Sequence, residues 1–430
     1  MSDAVRVGLA GLGNVGGGVA SVLRDNARAL AWRAGRNIQI TSVSARDRTK
    51  DRGIDLTGVP FEPDALALAE RGDVDVVVEL IGGEEGIARA LVERALRGKK
   101  HVVTANKALL ARHGLALATL AERNGVGLKF EAAICGGIPI VKALREGLIS
   151  WGISTVRGIL NGTCNFILTQ MEATGRPFAE VLAEAQRLGY AEADPTLDIG
   201  GGDTAHKLTL LTSLAFGAAP DLDGVAMTGI DKITPADIAF AGEFGYRIKL
   251  LGVARRTANG IEQLVNPAMV RAGTPLADVE SSFNAVAADA GEAGPFFFQG
   301  RGAGRGPTTS AVIADLVDVA RGALGPAFGR PAAELIPPRR EPAEARMSAY
   351  YLRFQVLDVP GVMAEISRHL ANQMVSIESM IQRGRAPGEP VAIVMITHEA
   401  QHVAVLRALH AIASSDKVVE SPCMIPMETA

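Results

Sequence analysis

Apolar and polar positions alternate along this chain in a way that separates short strands from amphipathic helices. Val5–Leu9 is a β-branched apolar run, and the glycine-rich turn Gly11-Leu12-Gly13-Asn14-Val15-Gly16 follows it at once. Beyond the turn, Val15, Val19, Val22 and Leu23 fall near one side of a predicted helix. Ile38–Val43, Val74–Ile81 and Val102–Thr104 repeat the strand pattern, with a helical segment around Ala88–Leu96. Near-continuous apolar strands set between helices predict an α/β domain whose parallel sheet is buried on both faces. Val156–Leu168 reads as a strand, a polar turn and a helix start; Gly245–Ala254 and the Leu264–Pro267 stretch read as further sheet. A helix over Ser310–Ala320 precedes a proline- and charge-rich linker beginning near Gly329. After it come a strand at Tyr350–Leu357, a turn at Asp358–Gly361, a helix at Val362–Gln373, strands at Ile377–Gln382 and Pro390–Thr397, and a helix at Gln401–Ser414.

A length of 430 residues has room for two to three domains with substantial cores. Hydrophobic residues at 48% and charged residues at 21% describe an ordinary globular chain, and a net charge of -3 supplies no general pull toward nucleic acid or an anionic membrane. Aromatic content of 4% argues against base-stacking platforms. The apolar runs are too short to span a bilayer, and the start of the chain lacks a basic segment followed by a long apolar one. Cys135, Cys164 and Cys423 are too few and too scattered for a disulfide framework or a zinc site. A cytoplasmic protein with free thiols is the expectation.

Strand, G-x-G-x-x-G and helix in immediate succession form the context that a Rossmann dinucleotide fingerprint requires. Residues 11–16 are therefore candidates to wrap a pyrophosphate, with the helix N-terminus offering its amides. At the tip of the next strand, Ser44 and Ala45 stand where an NAD site usually carries an acid. Arg46 and Arg48 follow, with Lys50 close behind. Small neutral residues beside guanidinium groups favour the 2′-phosphate of NADP, although Asp47 leaves NAD use open. Asn106 and Lys107 emerge at the C-terminal end of a strand, the ligand edge of such sheets. Between Glu131 and Ile140, a double glycine followed by Ile138-Pro139 frees main-chain oxygens near a carboxylate; such oxygens suit a hard cation, and a simple hinge accounts for them equally. Asn161 and Thr163 can cap a helix and also face a polar ligand. Finally, Ala185–Lys207 packs Glu192, Asp194, Asp198 and Asp203 around a Gly/Pro-rich turn before an apolar helix. Asp203 and Lys207 lie four apart on that helix and share a face. A lysine held beside a carboxylate in a desolvated cleft can protonate a developing alkoxide.

These motifs, in this order and over essentially the whole chain, resemble the homoserine dehydrogenases. The similarity is carried by the residues 185–207 segment, by the order around His101–Leu110, by the Ile159–Ile167 segment and by the second glycine-rich loop, Gly300–Thr308. The resemblance implies reversible reduction of L-aspartate 4-semialdehyde to L-homoserine. Lys207 would donate the proton, with Asp203 and Lys107 orienting and stabilising the reacting oxygen; Glu192 would hold the substrate ammonium, with Asp198 nearby. Gly302 would touch the cofactor, as would Lys107. Glu131, with the main-chain oxygens of Ile134, Gly136 and Ile138, would hold a sodium ion. The implied domains are a Rossmann domain over residues 1–138, completed by about 305–325; an α+β substrate and dimerisation domain over 139–304; a linker over 326–348; and a βαββαβ module over 349–430. That last module resembles an ACT domain, including its D-x-P-G-V turn. The implied partners are an amino-acid effector, threonine above all, and a second copy or more of the same chain in a homodimer or homotetramer.

Overall fold

The computed structural model describes residues 4–383 and 388–428; residues 1–3, part of the chain start read above, lie outside it. Six strands form the first sheet: β1 (Val5–Ala10), β2 (Ile38–Ser44), β3 (Phe61–Glu62), β4 (Val76–Glu79), β5 (His101–Thr104) and β6 (Leu128–Lys129), ordered β3-β2-β1-β4-β5-β6. All pair in parallel. The order reverses between β1 and β4, which opens a crevice at the C-terminal strand ends. Val76, Val77 and Val78 are fully buried, as the unbroken apolar run requires of a strand covered on both faces.

Helix Arg305–Arg321 returns to this sheet and packs on helix Asn14–Asp25, with Val312, Leu316 and Val319 in one core with Val5, Val7 and Leu9. It starts five residues before the predicted Ser310. Gly306 and Pro307 occupy its first turn, where a missing N–H costs no intrahelical bond.

A second, ten-stranded sheet holds β7 (Thr155–Ile159), β8 (Ala226–Met227), β9 (Tyr246–Arg256), β10 (Ile261–Arg271), β11 (Phe283–Asp289) and β12 (Pro295–Arg301). Beyond these come β13 (Met347–Ser348), β14 (Tyr350–Leu357), β15 (Ile377–Gln382), β16 (Pro390–Thr397), β17 (Ala400–Gln401) and β18 (Cys423–Glu428). Its path is β12-β11-β7-β9-β10-β18-β14-β16-β15, with β8 also on β10; β13 and β17 pair apart from it. Strands β14, β15, β16 and β18 with helices Val362–Asn372 and His402–Ala413 make a βαββαβ module around its own core of Leu352, Phe354, Ile366 and Leu409.

Patterning alone sets this module apart, yet it shares a sheet with the middle of the chain. β18 pairs in parallel with β10 at Met269↔Met427 and Val270↔Glu428. Across the joint, buried Asp237 accepts bonds from Arg353 Nε (2.7 Å) and the Tyr351 hydroxyl (3.0 Å) while capping its own helix through Thr234. The proline-rich connection is laid against β10 and the segment before β8 as well: Ile261 N donates to Arg339 O (2.7 Å) and Ala219 N to Ile336 O (2.9 Å). Among the described residues no helix is long and apolar enough to cross a membrane.

Candidate active site

The glycine turn is shaped by contacts that only hydrogen satisfies. Gly11 has φ +94°, and a Cβ there would lie 2.6 Å from Leu80 O; at Gly16 it would lie 1.9 Å from Gly11 O. A Cβ on Gly13 would meet open space, so the middle of the turn is the face left free for a pyrophosphate to approach. Leu12, Asn14 and Val15 complete this turn and helix start. Arg46 is exposed at the tip of β2. The arginine brought onto the turn is Arg52, whose Nε donates to Leu12 O at 3.0 Å and whose guanidinium also holds the Lys50 and Asp47 carbonyls. Sequence reading passed over Arg52, because its loop has no regular spacing to that turn.

At the crevice, Glu79 ends β4 fully buried. Its carboxylate accepts the Ile81 and Gly82 amides (2.8 and 2.9 Å) and the Thr104 hydroxyl (2.6 Å), which ties the ends of β4 and β5 together. Asn106 caps helix Lys107–Arg123 through Leu109 N and reaches Gly83 O at 2.7 Å. Lys107 is thereby aimed across the crevice, where its Nζ lies 3.1 Å from Asp203 Oδ1.

Asp203 opens helix Gly202–Phe216, launched by Gly201 at φ +90°. A Cβ at Gly201 would fall 2.8 Å from Val265 Cγ1, so the turn admits no side chain. Asp203 Oδ2 accepts Lys207 Nζ at 2.8 Å and Asn161 Nδ2 at 2.9 Å, and the same Asn161 amide reaches Asp198 Oδ1 at 2.7 Å. Asn161 also caps helix Gly162–Thr174 through Cys164 N, as its position before the helix predicts. Lys207 Nζ has a second fixed acceptor, Leu160 O, at 2.6 Å. Lys107, Asp198, Asp203 and Lys207 thus converge. Glu192 stands apart in an exposed stretch, where Gln186 holds its carbonyl at 3.1 Å.

Burial opposes charge on Asp203, but the ammonium groups of Lys207 and Lys107, with the bonds from Lys207 and Asn161, hold its carboxyl well below the usual range. Burial likewise opposes charge on Lys207. Asp203 outweighs it, and the ammonium is held above the ordinary lysine range. Both partners of the pair therefore stay charged at neutral pH. Asp198 is pushed up by burial, against its bond from Asn161. His206, adjacent in sequence, is lowered by burial, and its Nδ1 has no hydrogen-bond partner among the described residues.

A residue that sequence reading missed completes the site. Asn284 on β11 donates Nδ2 to Leu160 O at 2.9 Å, the carbonyl that also receives Lys207, and lies 3.6 Å from Cys135 Sγ. A Cβ on Gly302 would fall 2.1 Å from Asn284 Cγ, and one on Gly136 would fall 2.6 Å from Gly302 O. The second glycine-rich loop, the cation-type loop and the lysine are thus stacked through one amide. No local signal marks Asn284, which sits in an ordinary strand. Asn284→Ala is expected to lower kcat about 10- to 100-fold through misplacement of Lys207. Asn284→Asp, by adding a carboxylate beside Lys207, should move the alkaline limb of a reaction that uses the ammonium to higher pH; kcat–pH profiles of both variants check this.

Glu131 is buried, and its carboxylate accepts the Val141 and Lys142 amides at 2.8 and 3.0 Å while its own N–H binds Asp315 Oδ2 at 2.8 Å. Cys135 and Gly136 both have positive φ (+52° and +41°), and Ile138 O accepts Ile140 N at 2.7 Å. No group of three or more His, Cys, Asp or Glu side chains forms a metal cluster among the described residues. The Glu131 and Asp315 carboxyls and the main-chain oxygens of the adjoining turn are donors of the oxygen type that a hard cation takes. Burial pushes the Cys135 and Cys164 thiols up, so neither is a thiolate.

A parallel sheet with a glycine fingerprint at its switch point, and a lysine–carboxylate–lysine cluster at its C-terminal edge, define a nicotinamide-dinucleotide oxidoreductase. Residues 139–317 match the family model described as homoserine dehydrogenase, and residues 11–131 match that of its NAD-binding domain. A homoserine dehydrogenase of Neisseria gonorrhoeae is 45% identical over 431 residues, covering 99% of both chains; one of Pseudomonas aeruginosa is 45% identical over 401 residues, covering 92% of both. A crystal structure of a homoserine dehydrogenase from Thiobacillus denitrificans is 44% identical, covers 99% of this chain and 98% of its own, and superposes with a TM-score of 0.93. The chain belongs to the homoserine dehydrogenase family, and is an NAD(P)-dependent oxidoreductase of homoserine and aspartate semialdehyde.

Proposed function

We propose that the chain reduces L-aspartate 4-semialdehyde reversibly to L-homoserine with NADP(H) as the preferred dinucleotide, as a step toward threonine, methionine and isoleucine. The observation that carries the mechanism is the placement of two ammonium groups, Lys107 and Lys207, on the two oxygens of one buried Asp203. One carboxylate leaves that trio with a net positive charge, available to an alkoxide where water is excluded. When bound, the dinucleotide supplies or accepts the hydride at the substrate carbon. Residues 11–16, Gly302 and Lys107 would hold it, with Arg46 assigned to the 2′-phosphate. In reduction, Lys207 transfers one Nζ proton to the oxygen of the former aldehyde and becomes the neutral amine; in oxidation it takes that proton back. Asp203 orients Lys207, and Lys107 shares the oxygen's charge. Glu192 is assigned to the substrate ammonium, with Asp198 beside it.

The Glu131 loop is assigned a sodium ion in a structural role, with Ile134, Gly136 and Ile138 giving main-chain oxygens. The C-terminal module is read as an ACT domain that takes an amino-acid effector, threonine first. The assembly is read as a homodimer or homotetramer in the cytoplasm. Buried, protonated thiols speak against an acyl-thioester route through Cys135 or Cys164, which needs an activated thiolate. The test is homoserine-dependent reduction of NADP and of NAD, before and after iodoacetamide treatment of the native enzyme. Turnover favouring NADP and surviving alkylation is expected. Turnover with NAD alone would overturn the cofactor preference, and loss on alkylation the proton-relay mechanism.

A further inference from the structure

Glu79 is a fully buried carboxylate that takes no part in the proton transfer. Burying a charge is costly unless its lone pairs are bonded, and Glu79 is bonded at both oxygens. Oε1 accepts the Ile81 and Gly82 amides and so shapes the turn that leaves β4; Oε2 accepts the Thr104 hydroxyl at the end of β5. With its own proton given to Glu79, Thr104 Oγ1 accepts the Asn106 amide at 2.9 Å. Asn106 then returns to the turn. Its Nδ2 donates to Gly83 O at 2.7 Å, while its Oδ1 takes Leu109 N at 3.1 Å and starts helix Lys107–Arg123. These bonds close a ring that runs from Glu79 through the Ile81–Gly83 turn to Asn106, on to Thr104 and back to Glu79.

The ring carries a working group on each arm. Gly82 and Gly83 have φ of +85° and +90°, and a Cβ on Gly82 would meet nothing within 4 Å. Glycine is therefore required there by conformation, and the turn lies open at the C-terminal edge of the sheet, where a dinucleotide binds. On the other arm, the residue after Asn106 is Lys107, whose Nζ reaches Asp203 Oδ1 at 3.1 Å. The turn facing the cofactor and the lysine facing the reacting oxygen are thus one hydrogen-bonded unit.

We propose that Glu79 is a positioning residue for hydride transfer: through Thr104 and Asn106 it fixes Lys107 against the Ile81–Gly83 turn, and with them the approach of the reacting carbon to the nicotinamide. It acts through its neighbours and moves no proton itself. The inference rests on reading Lys107 as a partner of the reacting oxygen. The direction of the bonds supplies a diagnostic substitution. A carboxylate only accepts, and the ring uses it so at both oxygens. Glu79→Gln keeps the shape, but its amide nitrogen must face either the two turn amides or Thr104. If it faces Thr104, Oγ1 accepts from both neighbours and the hydroxyl proton is stranded in a buried site. Either way the ring opens. Thr104→Val opens it from the other side with Glu79 unaltered, and Thr104→Ser keeps the hydroxyl.

The test compares these three variants with the wild type in homoserine oxidation by NADP. Homoserine deuterated at its carbinol carbon gives the isotope effect, nicotinamide fluorescence gives NADPH affinity, and dichroism gives the unfolding midpoint. In Glu79→Gln and Thr104→Val kcat is expected to fall about 10-fold, with NADPH affinity unchanged. The isotope effect on kcat should rise, because the hydride step is slowed relative to product release. Thr104→Ser should return toward the wild type. The double variant Glu79→Gln/Thr104→Val should be no worse than either single one, since the ring is already open. Loss of folded enzyme alone would lower kcat and leave the isotope effect where it was. Wild-type kcat and isotope effect in Thr104→Val overturn the proposal, as does a double variant in which the two losses multiply. Should Glu79→Gln fail to fold, the two Thr104 variants carry the same decision. Wild-type turnover in Lys107→Met would sink the reading of Lys107 and this inference with it; a loss there, beside wild-type behaviour in the ring variants, sinks the inference alone.

Discussion

Lys207→Met is expected to bind NADPH with near-normal affinity and to lose about 10²- to 10⁴-fold in kcat in both directions, the usual weight of a positioned proton donor. Methionine keeps much of the side-chain volume, so helix Gly202–Phe216 should hold its place, and Asp203 keeps Lys107 and Asn161 as partners. The pH dependence separates this role from mere packing. In the wild type, Lys207 is an ammonium at neutral pH because Asp203 holds its pKa above the ordinary range. Aldehyde reduction, which uses the ammonium, should be level through neutral pH and fall on the alkaline side. Homoserine oxidation, which needs the amine, should rise there. In Lys207→Met both alkaline trends should disappear. Absorbance of the nicotinamide gives the rates and its fluorescence the binding; wild-type turnover in the variant would end the proton-donor assignment. The same pair makes the fold acid-sensitive. The folded-state pKa of Asp203 is depressed, so its contribution is present above the unfolded carboxylate range and is lost as pH falls through the folded value.

The largest effect on stability is expected from Asp237→Ala. It strips Arg353 of its 2.7 Å partner in a buried joint, leaving it only Glu420 at 3.6 Å, and removes half of the Thr234–Asp237 capping box. Breaking a buried ion pair by removing one partner costs about 3–5 kcal/mol. The loss should fall on the joint. Urea unfolding is expected to pass from one transition to two, the βαββαβ module melting first, when far-ultraviolet dichroism is compared with homoserine oxidation. Replacing both partners by apolar residues, Asp237→Leu with Arg353→Met, should recover much of the loss, since no charge is then stranded. A single transition at the wild-type midpoint in Asp237→Ala would show that the joint contributes little.

Much of this chemistry is legible in local sequence because local geometry enforces it. Gly11 and Gly16 announce the dinucleotide turn since any side chain would strike Leu80 O or Gly11 O. Asp203 and Lys207 meet because four residues make one turn of helix. Lys107 is aimed from a strand end whose apolar run predicts it. Asn284, Arg52 and the Asp237–Arg353 pair carry no such mark. Each works through a partner far along the chain, and nothing in a strand reading Phe283-Asn284-Ala285 distinguishes a hub from an ordinary half-buried polar residue.

The sequence by itself determined the parallel sheet, its glycine turn, the βαββα order of the elements from Tyr350 to Ser414 and the identity of the lysine–aspartate pair, all set by periodicity, backbone sterics and spacing within a few residues. Tertiary structure alone decided that the C-terminal module shares a sheet with the middle of the chain, that Leu160 O is held by Asn284 while it holds Lys207, and that the pairing along β10 is interrupted between Val265 and Met269. Those outcomes depend on which distant strand edges and buried charges meet, and long-range pairing of that kind leaves no periodic trace in either partner.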